Sequence, residues 1–310
     1  MPDLYCVCVS WPPRGVENPP RTLGAHGQRG HYRPFGTGEP VVRLGTSSWT
    51  AEGWNRAFYP ERLPPRDYIA YYSKQFNTVE IDATFYAIPA ARTVQRWYEA
   101  TEPGFLFAAK VPQEITHERL LLDCEMQVQA FVDAMSGLRE KLGPLLFQFR
   151  YFRKGEIELD EFVSRLSAIL GLVPEGMQVA VETRNKTWLR EPLLGLLRDH
   201  GVALALIDHP YMPFAGQYRE RVHELKTTDF TYIRWLGDRQ RTEDMIAKVL
   251  GEISFEKSVV DREPHITAWA ELIRSLDDDR FRIFGYFNNH YSGYAINDLR
   301  RLQQLLGIES

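Results

Sequence analysis

One pattern recurs eight times along the chain: a short apolar run ends in polar or charged residues, and most of these runs lead into a segment of helical spacing. The endings are Ser47-Ser48, Glu80-Ile81-Asp82, Lys110, Gln148, Glu182-Thr183-Arg184, Asp208, Arg234 and Asn288-Asn289. A (β/α)8 barrel generates this pattern, because its active site is assembled from the C-terminal ends of its strands. An open doubly wound sheet also binds ligands at strand C-termini, but it draws on fewer of them. The expected fold is therefore α/β, a single TIM-like barrel over residues 41–310. Residues 1–40, broken by Trp11-Pro12-Pro13, Pro19-Pro20 and repeated glycines, are expected to form an irregular or disordered N-terminal extension.

Strand-like runs are read at Val41–Thr46, Thr78–Asp82, Phe105–Val111, Leu145–Phe149, Met177–Glu182, Val202–Ile207, Phe230–Trp235 and Phe281–Phe287. Apolar residues at three- and four-residue spacing predict helices over 67–76, 92–100, 125–138, 160–170, 188–200, 264–276 and 293–306. The stretch 210–229 reads as mostly irregular. Side chains alternate sides along a strand, so Glu80 shares a face with Asp82, Lys110 with Ala108, and Gln148 with Leu146 and Arg150. Likewise Glu182 falls with Ala180 and Arg184, Arg234 with Tyr232, and Asn288 with Tyr286. The opposite face is apolar (Phe105 and Phe107, Leu145 and Phe147, Val179 and Val181), as a surface covered by helices requires. The polar set then points into the barrel and crowds its C-terminal mouth.

Several of these endings suit chemistry. Glu80 and Asp82 bring two carboxylates to one pocket, where one can serve as a general acid; an ion-pair network with Arg184 or Lys110 is the structural alternative. Glu182 beside Arg184 stays ionised and suits a general base, while Arg184 and Arg234 suit bidentate binding of a carboxylate or phosphate. Lys110 suits electrostatic stabilisation of a developing anion. Gln148, Asp208, Asn288 and Asn289 read as ligand-orienting, with turn formation as the competing role for the last three. Trp49, Phe85 and Tyr86 offer stacking walls, and His117 lies near a strand end.

Composition narrows the classes. The net charge of −4 gives no broad basic field, so nucleic acid is a disfavoured partner and a small anionic ligand the favoured one. Three cysteines, Cys6, Cys8 and Cys124, form no disulfide framework and fit a reducing compartment. With no signal-like start and no apolar stretch near the roughly 18–20 residues of a membrane span, a cytoplasmic protein without membrane association is expected. No two-histidine metal motif and no Gly-x-Ser-x-Gly elbow occur. No cofactor is expected, although carboxylates from several strands could hold a divalent metal without a local motif.

The same residues carry a family resemblance. Gly45-Thr46-Ser47-Ser48-Trp49 with Trp54 and Phe58-Tyr59-Pro60 resembles the opening of the YecE-like family, domain of unknown function 72. So do Phe76 to Tyr86 with Pro89 and Trp97, Phe107-Ala108-Ala109-Lys110 with Ile115-Thr116-His117, Gly143 to Gln148, Val181 to Arg184 with Trp188, Tyr232-Ile233-Arg234, Trp269 and Phe287-Asn288-Asn289. The match spans about residues 41 to 305 and implies a TIM-like barrel with a shared ligand site. Two positions depart from the family pattern: Ser48 stands where Gly is usual, and Asp82 where Asn is usual. Residues 1–40 have no counterpart.

These readings lead to an enzyme that acts by metal-independent acid–base chemistry on a small anionic polar substrate. Glu182 would be its base, Lys110 its stabiliser, and Arg184 and Arg234 its clamp. A metal-dependent phosphodiesterase or nuclease using Glu80, Asp82, Glu182 and Asp208 is the alternative within enzymes. A binding module for nucleic acid or a metabolite is the alternative outside them.

Overall fold

A computed structural model describes residues 42–276 and 281–308. The expectations for residues 1–40, including a short strand at Tyr5–Val9 and the pair Cys6 and Cys8, lie outside the described residues. Eight strands form one all-parallel sheet: β1 (Val42–Thr46), β2 (Thr78–Ile81), β3 (Leu106–Lys110), β4 (Leu142–Gln148), β5 (Val179–Glu182), β6 (Ala203–Asp208), β7 (Phe230–Trp235) and β8 (Arg282–Phe287). The spatial order is β1-β8-β7-β6-β5-β4-β3-β2, which bends the sheet into a nearly closed TIM-type barrel.

Helices connect the strands: α1 (Trp54–Ala57), α2 (Tyr68–Tyr72), α3 (Ala91–Ala100), α4 (Glu125–Ser136), α5 (Leu159–Leu170), α6 (Leu193–Asp199), α7 (Ala215–Glu220), α8 (Val222–Leu225), α9 (Arg239–Leu250), α10 (Glu263–Leu276) and α11 (Ala295–Leu306). Among the described residues no helix is long and apolar enough to cross a membrane.

The strand alternation read from the sequence is the one that folds. Val79, Ile81, Phe107, Leu145, Phe147, Val179, Val181, Ile233 and Phe287 join the helices in a continuous buried core outside the sheet. Leu106, Ala108, Leu146, Ala180, Ala203, Ala205, Phe230, Tyr232, Phe284 and Tyr286 form a separate cluster inside it. Burying both faces of a parallel sheet is the arrangement that such strands favour.

No ladder joins β1 to β2, and a side chain of α2 bridges that seam. The Thr46 N–H donates to the Tyr72 hydroxyl at 2.9 Å, and that hydroxyl lies 2.8 Å from Thr46 Oγ1 and 3.4 Å from the Thr78 carbonyl. Gly45 permits the approach: a Cβ there would stand 2.2 Å from the Thr78 carbonyl oxygen.

Several elements differ from expectation. α9 was not expected; only Thr242 and Ile246 of its twelve residues are buried, so its apolar period is faint. Its start is nonetheless capped by Asp238, which accepts from the Arg241 N–H, and it ends at Gly251 with φ 79°. The stretch 210–229 contains α7 and α8, too short to show a period. Finally, β4 begins at Leu142, not Leu145, and carries Gly143-Pro144 within it. The β3–β4 register shifts between Phe107 and Ala109, a bulge that accommodates a proline unable to donate to the ladder.

Candidate active site at the barrel mouth

Small side chains inside the barrel decide what fills it. Ala108 on β3, Ala180 on β5, and Ala203 and Ala205 on β6 all face inward, and their small volume leaves room for the large side chains of β7 and β8. Into that room project Tyr232 and Arg234, and Arg234 meets the two inward carboxylates of β2 and β5. Its Nη2 lies 2.8 Å from Glu80 Oε1 and its Nη1 2.8 Å from Glu182 Oε2. Each carboxylate has a second partner: the Tyr232 hydroxyl donates to Glu80 Oε2 at 2.6 Å, and Arg184 Nε donates to Glu182 Oε1 at 3.1 Å. Glu80 and Glu182 are 0% exposed and Arg234 is 2% exposed.

Electrostatics follow from that enclosure. Burial alone would raise the Glu182 pKa, but Arg234 and then Arg184 outweigh it and hold the carboxyl below its usual range. Burial acts against the charge of Arg234 too, yet Glu80 and Glu182 together keep it firmly protonated. Burial, followed by the charge on Glu80, drives the Tyr232 phenol well above its usual range, so it remains a donor.

Above this cluster sits a second, more open group. Lys110 Nζ lies 3.0 Å from Asp82 Oδ1 and 3.8 Å from the centre of the Phe85 ring. The Lys110 carbonyl is held by the Thr84 hydroxyl at 2.7 Å, which ties the end of β3 to the loop after β2. The Phe85 ring meets Tyr86 and His117 edge-on, with centroids 5.4 and 5.0 Å apart. His117 Nδ1 lies 2.8 Å from Thr116 Oγ1. Burial first, then the charges of Lys110, Arg150 and Arg184, push His117 down to about 4. It is therefore neutral at pH 7. The Arg184 side chain is 28% exposed and that of Asp82 34%.

Two expected roles change with this geometry. Arg234 does not reach an anion at the mouth, because both terminal nitrogens are taken by carboxylates and the side chain is sealed. Glu182 does not suit a general base: it has no exposed surface, and Arg234 and Arg184 lower its basicity. The ion-pair network expected for Glu80 and Asp82 with Arg184 or Lys110 forms in part: Asp82 pairs with Lys110, whereas Glu80 pairs with Arg234.

Other candidates serve neighbouring segments. Gln148 Nε2 donates to the Phe149 carbonyl at 2.8 Å. Asp208 Oδ2 accepts from Trp269 Nε1 at 2.7 Å and from the Tyr291 hydroxyl at 3.2 Å, fastening β6 to α10. Asn288 Oδ1 accepts from the His290 N–H, and Asn289 Oδ1 from the Ala295 N–H at the start of α11. Trp49 packs edge-on against Trp97 and Phe107, so it is a wall of the outer core. The four carboxylates that could have shared a metal are divided among Arg234, Lys110 and Trp269. Among the described residues, no three His, Cys, Asp or Glu side chains converge to hold an ion. Arg150 and His209 were not among the expected site residues, although Arg150 shares a face with Gln148 and His209 lies just past a strand end.

Eight parallel strands with ionised side chains gathered at their C-terminal ends define a TIM-type barrel whose candidate site is its mouth. The chain belongs to the DUF72 family: the family model described as a protein of unknown function, DUF72, matches residues 43–310. The resemblance read from the strand-end motifs is thereby borne out. The UPF0759 protein YunF of Bacillus subtilis (strain 168) is 24% identical over 283 residues, covering 87% of this chain and 96% of its own. The UPF0759 protein YecE of Escherichia coli (strain K12) is 26% identical over 217 residues, covering 66% of this chain and 77% of its own. A crystal structure of a DUF72 family protein from Enterococcus faecalis V583 matches with a TM-score of 0.67 at 21% identity, over 87% of this chain and 96% of that one. That likeness supports the fold alone.

Proposed function

We propose that the protein is an enzyme that binds a small anionic polar substrate at the barrel mouth and acts on it by acid–base chemistry without a metal. The observation that carries this reading is the two-storey charge arrangement. A sealed Glu80–Arg234–Glu182 network continues through Glu182 to the part-exposed Arg184, and Lys110 pairs with the part-exposed Asp82 beside Phe85 and His117. Buried ion pairs are weak stabilisers, since well-packed apolar residues often do as well. Their value here is positional: Glu182 fixes Arg184 from below, so the guanidinium meets a ligand with its orientation already set.

Arg184 and Lys110 bind the substrate anion in this reading. Asp82, paired with Lys110 and a third exposed, takes the proton, and Lys110 stabilises the negative charge that develops. Ser47 Oγ, buried without a protein partner at the same end of the barrel, adds a polar contact. Glu80, Glu182 and Arg234 act as positioning residues.

Ligand-induced stabilisation tests the binding step. A set of phosphate monoesters and small carboxylates should raise the Tm of the wild type, by an amount set by free ligand over Kd. Arg184→Ala should abolish the rise, and Asp82→Asn should keep it while removing turnover. An Arg184→Ala protein that binds the same anions as tightly as wild type would sink the proposal.

A further inference from the structure

The aromatic side chains around the mouth add a requirement to the substrate. Tyr86, Tyr151, Tyr211 and Phe214 are 70, 58, 75 and 61% exposed. Each lies past the C-terminal end of a strand: Tyr86 after β2, Tyr151 after β4, and Tyr211 and Phe214 after β6. Exposed apolar residues scattered singly need no explanation, but aromatic rings confined to one end of a barrel and spread over alternate strands do.

Rings and cations alternate on these loops. Lys110 lies against Phe85, whose edge meets Tyr86. Tyr151 directly follows Arg150. The His209 ring stands 5.4 Å from that of Tyr211. A site that presents cations at its centre and flat apolar faces at its rim suits a ligand of the matching kind. Its anionic group would be held centrally and a planar ring stacked outside.

We infer that the substrate carries a flat aromatic ring, aryl or nucleobase, joined to its anionic group; this rests on the anion-binding reading of the same mouth. The net charge of −4 argues against a long nucleic-acid strand as the occupant. A single ring-bearing anion fits a mouth that presents Lys110 and the part-exposed Arg184 together with exposed rings.

Calorimetric titration of the full chain with probes of equal charge tests this. Phenyl phosphate and the nucleoside 5′-monophosphates should bind about tenfold or more tightly than ribose 5-phosphate or glycerol phosphate, the scale of one ring stacked on an aromatic side chain. Tyr211→Ala and Tyr151→Ala, exposed positions whose loss leaves the core intact, should reduce that preference and leave ribose 5-phosphate binding unchanged. A nucleotide preference over phenyl phosphate would identify a nucleobase, and equal preference a simple aryl group; either supports the inference. Equal affinity for ring-bearing and ringless phosphates would overturn it while leaving the anion site standing. No binding of any anion would remove both. Affinity that appears only with oligonucleotides and grows with their length would overturn it in favour of strand binding.

Discussion

Replacing Arg234 by methionine isolates the buried charge network. The substitution preserves an unbranched side chain but leaves Glu80 and Glu182, both 0% exposed, without the cation that lies 2.8 Å from each. Removing one partner of a buried pair costs about 3–5 kcal/mol, because the remaining charge has lost its solvation as well as its counter-ion. Two carboxylates lose a cation here, which argues for the upper end or beyond. Arg184 still donates to Glu182 and the Tyr232 hydroxyl still donates to Glu80, which pulls the loss back. We expect Arg234→Met to lose about 4 kcal/mol at pH 7, a large part of the roughly 5–15 kcal/mol typical of a folded domain. Urea unfolding followed by tryptophan fluorescence gives the number. The loss should shrink towards pH 5, as burial, no longer opposed by Arg234, raises the Glu182 pKa and lets it protonate. The triple variant Glu80→Gln/Glu182→Gln/Arg234→Met, with no charge left inside, should recover more than half of it. A triple variant as unstable as the single one, or a single variant within about 1 kcal/mol of wild type, would refute the electrostatic argument and leave shape as the cause.

Three further outcomes follow from other parts of the fold. Tyr72→Phe removes the hydroxyl that meets the buried Thr46 N–H and should cost about 1–3 kcal/mol, with faster amide exchange at Thr46 than in the paired strands. Gly45→Ala should be at least as damaging, since its Cβ would force β1 and β2 apart; an unchanged urea midpoint would show that the seam has slack. Asp298, buried on α11 beside Ser292, has its pKa raised by burial from 3.8 to about 7. Its stability contribution is fully present below pH 3.8 and is lost as pH rises through about 7. Asp298→Asn should therefore gain on the order of 2–4 kcal/mol over wild type at pH 8 and nothing at pH 3.5, measured by denaturant unfolding at both values.

How far the sequence speaks for itself depends on the range of the force involved. Alternation is local: the inward parity of Glu80, Lys110, Gln148, Glu182 and Arg234 follows from which neighbours are apolar, and it folded as read. Helix α9 was missed because so little of it is buried, although Asp238 and Gly251 marked its ends. Roles were harder to read than positions. Arg234 and Glu182 look alike in sequence to Lys110 and Arg184, each a charged residue at or just past the end of an apolar strand.

The sequence by itself determined the barrel, its two faces and the end at which charge gathers, because strand period and apolar pattern are properties of consecutive residues. Only the tertiary structure decided which charges are sealed and which are open. That choice depends on the alanines of β3, β5 and β6, which leave room for a guanidinium from β7 between carboxylates of β2 and β5. Glu80 and Arg234 are separated by more than 150 positions along the chain and 2.8 Å in space, and no local pattern encodes that distance.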